Sequence, residues 1–122
     1  MRLEDDPETA SWLDRLTGDM EDFDWDEGNQ TKHAKHGVAP DEIEAMLRHP
    51  VLFAGRIVEP SHTEPRWLML GETDEGRLLA LVFTRRGDKL RPVSGRPMRR
   101  KEREVYEEAC RQGEAPAGSP KR

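Results

Sequence analysis

The chain has 122 residues, a length that suits one domain with one modest core. Charged residues make up 37% and hydrophobic residues 34%, and no stretch approaches the roughly 18 consecutive apolar residues that a membrane span requires. The single cysteine, Cys110, excludes an internal disulfide, and the acidic start MRLEDDPETASW lacks the apolar run of a signal peptide, so a small, soluble cytoplasmic protein is expected.

Residues 1–21 show no sustained period. Trp12, Leu13 and Leu16 make at most one amphipathic turn among acids, and the segment reads as an acidic, flexible extension or docking segment. The organised domain is expected over 22–112. Phe23 and Trp25 alternate with acids, which suits a short strand with one buried face. Asp26 is placed to cap a helix that runs from Glu27 to His36 and stops at Gly37. Pro40 then suits the first position of a second helix. Its acids Asp41 and Glu42 lie in the first turn, and Ile43, Met46 and Leu47 form its apolar stripe, before Pro50 ends it.

Four strand candidates follow, at 51–58, 66–72, 77–85 and 89–95. The connections Thr73–Gly76 and Arg86–Asp88 are short and contain glycine, which predicts antiparallel hairpins. Pro92 places the last strand at an edge or beside a bulge. Residues 98–111 read as a helix with Met98, Val105, Tyr106 and Ala109 on its apolar face, and 113–122 as a disordered tail. The expected class is α+β: a three- to four-stranded antiparallel meander plus a short N-terminal strand, two N-terminal helices and a C-terminal helix. One face of that sheet is expected to stay open and to carry a site.

The net charge of −5 hides an asymmetry. Residues 1–28 hold eleven acids against Arg2 and Arg15, a local charge of −9, while 77–106 hold ten bases against Asp88, Glu102 and Glu104, a local charge of +7. Such a basic block suits a polyanion or an acidic protein partner, and equally a solvated surface. Four histidines are present, but only His33 and His36 are spaced to share a helix face, and no third ligand joins them. No metal and no cofactor are expected. Lys35 and His36 at a helix end complement the helix dipole. Trp25 and Trp67 alternate within strands and read as core aromatics.

Taken together, DFDWDEGN and KHGV, then RWLMLGET with GRLLALVFT, then RPVSGRPMRRKEREVYE, resemble the BrnT family over residues 22–108. The resemblance implies a RelE-like fold and metal-free RNA cleavage. It also implies a BrnA-like antitoxin with a ribbon-helix-helix half that covers the toxin in a hetero-oligomer, so that DNA is contacted only through the antitoxin. Metal-free cleavage uses the RNA 2′-OH as nucleophile and needs a proton acceptor, a cation for the phosphate and a proton donor. Arg66, Arg96 and Arg85 sit near strand ends and suit the phosphate, and Arg66 and Arg96 match family positions by the resemblance. Lys35, Glu64 or Lys101 would assist proton transfer; Arg77, Arg99 and Arg100 would bind RNA. Of the phosphate groups Arg96 ranks first, because it lies where the last strand gives way to a helix start. The competing reading is a subunit that keeps the antitoxin-binding face without cleaving RNA.

Overall fold

The structure, a computed structural model, describes residues 1–30 and 36–113. Its elements in chain order are β1 (Arg2–Glu4), α1 (Pro7–Asp14), a 3-10 turn (Met20–Asp22), α2 (Glu27–Gln30), α3 (Pro40–Met46), β2 (Val51–Glu59), β3 (Trp67–Glu72), β4 (Leu78–Arg86), β5 (Lys89–Pro97) and α4 (Arg100–Arg111). The α+β class holds. The sheet has five strands in the order β1-β2-β3-β4-β5, every neighbouring pair antiparallel.

The hairpins follow from local chemistry. Thr73 closes the β3–β4 turn: its N–H donates to the Arg77 carbonyl at 2.9 Å, and its hydroxyl accepts from the Arg77 N–H at 3.1 Å. The β4–β5 turn is the two residues Gly87 and Asp88, with Arg86 paired to Lys89 and Gly87 at φ +63. Both expectations for Pro92 are met. β5 is an edge strand, and the register shifts between Val82 and Phe83, where Ser94 and then Pro92 are the partners.

The α3 expectation also holds. Pro40 opens the helix, the Glu42 carboxylate accepts from the Ala39 N–H at 2.9 Å, and Ile43, Met46 and Leu47 are buried. Asp26 caps α2 by accepting from the Asn29 N–H at 3.0 Å. Beyond Gln30 the expected first helix enters 31–35, outside the described residues; the tail beyond Gly113 does as well.

Three expectations are corrected. First, residues 2–14 are part of the fold rather than an extension. β1 pairs with Arg56–Glu59 at the end of β2 and passes close to Gly55, where a Cβ would meet the Glu4 carbonyl at 2.8 Å. Asp6 caps α1 through the Thr9 N–H, and Trp12 and Leu13 are buried. Second, Phe23 and Trp25 form no strand; Phe23 makes one isolated parallel bridge to Leu90. The short N-terminal strand exists, but it is Arg2–Glu4. Third, the sheet is covered on both faces. Trp67, Met69, Leu79, Leu81 and Phe83 pack with Trp12, Leu13, Ile43 and Met46 on one face, and Leu68, Leu70 and Ala80 pack with Met98 and Tyr106 on the other. This two-sided burial is why β3 and β4 read as unbroken apolar runs. An aromatic row, Trp12 on Phe83 at 6.3 Å and Phe83 on Trp67 at 5.9 Å, joins α1 to the sheet.

Candidate active site

The connection from β2 to β3 is held at both margins. The Arg66 carbonyl accepts from the Ile57 N–H at 2.8 Å, and the Pro65 carbonyl accepts from the Thr84 hydroxyl at 2.7 Å. Between these anchors the loop forms a cleft of about 180 Å³, lined by Arg56, Ser61, His62, Thr63, Glu64 and neighbouring residues. Arginine, histidine and carboxylate side chains therefore share one concave, polar site.

Glu64 is fixed by Arg86 at the end of β4, whose Nε donates at 2.8 Å and Nη2 at 3.3 Å. That donation holds the Glu64 carboxyl below its ordinary value of 4.5. Partial burial opposes the shift, and the charges of Arg66 and Arg91 assist it. The network continues outward. Arg86 Nη1 lies 4.0 Å from Asp24, and Arg91 on β5 binds Asp24 at 3.4 Å and Asp26 at 2.9 Å. Arg66 differs from its neighbours. It is half-buried, and its Nε is fully buried with no hydrogen-bond partner among the described residues. An unmet buried donor costs about 1–3 kcal/mol; Arg66 directly follows Pro65, which lines the cleft, and its charge acts on Glu64.

Of the groups expected from sequence, the structure brings Glu64 and Arg66 together. Arg96 stands elsewhere. Its cross-strand partner is Ala80, on the face that α4 covers, and its Nη1 and Nη2 donate to the two Glu102 oxygens at 2.8 and 2.9 Å. The Arg96 side chain is only 14% exposed. Glu102 also accepts from the Arg99 N–H at 2.8 Å, so the helix start where a phosphate was expected already holds this chain's own carboxylate.

Arg85 lies over the Trp12 ring at 4.5 Å and donates to the Thr9 hydroxyl at 3.3 Å, a packing role on α1. Arg77 binds the Gly37 carbonyl at 2.8 Å and Glu42 at 3.0 Å. Arg100 is exposed and pairs with Glu104 at 3.5 Å. Arg99 and Lys101 are exposed beside an apolar groove under α4. Lys35 lies outside the described residues.

Arg56, His62 and Arg86 were not singled out from sequence. Arg86 offered one signal, its place at the turn end of a strand. Its partner Glu64, 22 residues away in a loop, offered none. The basic block 77–106 is also far less free than its charge suggests, since Arg77, Arg86, Arg91 and Arg96 all face acids. Among the described residues no helix is long and apolar enough to cross a membrane. No curated protein matches the chain. A family model does match, over residues 25–102, and its description is ribonuclease toxin, BrnT, of type II toxin–antitoxin system.

Proposed function

Because the chain belongs to the BrnT family of ribonuclease toxins of type II toxin–antitoxin systems, we propose that it cleaves RNA, without a metal, at the cleft between β2 and β3. The observation that carries this reading is the buried Arg66 Nε, unpartnered among the described residues, on an arginine whose charge acts on the Glu64 carboxylate that Arg86 holds. Arg66, a permanently charged planar fork, takes a non-bridging oxygen of the scissile phosphate, with Arg56 at the cleft wall adding charge. Glu64, kept ionised, accepts the 2′-OH proton. The 2′-oxygen then bonds to phosphorus, and the bond from phosphorus to the 5′-oxygen breaks. His62, in the same cleft, supplies the proton for that leaving oxygen. The products are a 2′,3′-cyclic phosphate and a 5′-OH.

The antitoxin that the family implies is, in this reading, a ribbon-helix-helix protein. The pair acts in the cytoplasm, and the toxin reaches DNA only through its partner.

The test is incubation of the purified chain with RNA in EDTA. Cleavage is expected to persist and to leave cyclic or 3′-phosphate ends. Arg66→Ala is expected to lower the rate by about 10² to 10³, the usual loss when a group that stabilises transition-state charge is removed. Arg66→Lys restores only part of it, because the fork is lost. If the wild-type chain cuts no RNA at any concentration, or cuts only with added metal, the catalytic reading fails. Where no RNA is cut, a non-cleaving subunit that binds the antitoxin becomes the better account. Arg96, already engaged by Glu102, is consistent with that second account.

A further inference from the structure

α4 does not cover the whole of its sheet face. Tyr106 and Ala109 are buried, and the Tyr106 hydroxyl donates to the Pro50 carbonyl at 2.8 Å. Val105, one position earlier, is 55% exposed. Between α4 and β1–β3 lies a groove of about 650 Å³, walled by Leu3, Leu52, Ala54, Leu68, Leu70 and Val105. Its walls are mostly apolar, unlike the polar Glu64 cleft. Among the described residues no strand pairs with the outer edge of Val51–Ala54, because β1 reaches only Arg56–Glu59. The groove is therefore open along one side.

The charged residues at its margin are Arg99, Lys101 and Glu102. Arg99 and Lys101 are exposed at the start of α4, and the Arg99 charge also acts on Glu102. Glu102, the acid at the same margin, is bound to Arg96 and to the Arg99 N–H. The margin thus carries two exposed cations against one carboxylate that Arg96 already holds, a net positive charge. An apolar trough with exposed cations at one end fits a peptide segment that carries apolar side chains followed by acids.

We propose that this groove is the surface on which the antitoxin docks, through an apolar segment whose acidic residues meet Arg99 and Lys101. The proposal rests on the family reading, which supplies an antitoxin, and adds where and by what chemistry it binds. It separates the docking face from the Glu64 cleft, so a bound antitoxin contacts β2, β3 and α4 whether or not it also reaches the cleft.

The experiment uses the full chain and the protein encoded by the neighbouring gene, produced together and then titrated as purified components. Val105→Asp places a carboxylate in the trough at an exposed position, where folding is not at risk. Lys101→Glu reverses a margin charge. Each is expected to weaken binding by about tenfold or more, and rising salt is expected to weaken the wild-type complex more than the Lys101→Glu complex. RNA cleavage by Val105→Asp alone is expected to match wild type. If both variants bind with wild-type affinity, the groove is not the docking surface, while the toxin reading stands. If the wild-type chain binds no neighbour-encoded protein, the docking proposal and the partner assignment fall together, and cleavage by the chain alone still decides its activity.

Discussion

Arg86 holds Glu64 with two guanidinium nitrogens, Nε at 2.8 Å and Nη2 at 3.3 Å, across 22 residues of sequence. The pair ties the end of β4 to the loop that leads into β3. It also favours the ionised carboxylate in a cleft whose other polar groups are cationic or neutral.

The first prediction concerns this pair. Arg86 lowers the Glu64 pKa from its ordinary value of 4.5, so the acid limb of the cleavage profile should lie below that value. Arg86→Gln removes the main cause of the shift, and the acid limb of kcat/KM should move to higher pH. A merely structural Arg86 would leave the limb in place and change only the amount of folded protein. The pH dependence of single-turnover cleavage separates the two outcomes.

The second prediction concerns Arg96 and Glu102. Arg96→Ala leaves a largely buried carboxylate without its two donors, and stability should fall by about 1.5–3 kcal/mol, the usual worth of hydrogen bonds to charged groups. Urea titration at pH 7 measures it. Burial by itself would raise the Glu102 pKa, yet donation from Arg96 and from the Arg99 N–H outweighs it and leaves the value below 4.5. A carboxyl lowered on folding stabilises the protein above its unfolded value, and that contribution disappears as pH falls through the folded value. The difference between wild type and Arg96→Ala should therefore be full near neutrality and shrink below pH 4.5. A difference that is unchanged down to full protonation would contradict the pairing.

The third prediction concerns Trp12. It is 5% exposed, stacks on Phe83 and carries Arg85 on its ring. Trp12→Ala should cost about 3–5 kcal/mol, the range for a large aromatic removed from a core. A flexible extension would give a change near zero, so thermal unfolding of this single variant distinguishes the two descriptions of residues 1–14.

Much of the fold was legible because its signals are local. Pro40 with Ile43, Met46 and Leu47 specifies α3 within eight residues, and the glycine-containing turns set the hairpins of the meander. The blocks around Trp25, His36 and Val93–Glu102 pointed to the family from sequence alone. The N-terminus escaped because a single turn, Trp12, Leu13 and Leu16, is too short to show a period; its burial depends on Phe83 and Trp67, strands far away in sequence. Phe23 and Trp25 alternate as a strand would, but alternation does not supply a neighbouring strand, and the structure offers Phe23 only the Leu90 bridge.

The site divides in the same way. Sequence by itself determined the kinds of group present: arginines at strand ends, Glu64 in a loop, a cationic stretch opposite an acidic one. It ranked Arg96 first, and only the tertiary structure decided that Arg96 faces Glu102 under α4 while Arg66 keeps a buried donor unmet among the described residues. Helix and strand periods are fixed by the backbone over a few residues. Which acid neutralises which arginine is fixed by the packing of whole elements, which brings Asp24 to Arg91 across 67 residues and Glu42 to Arg77 across 35.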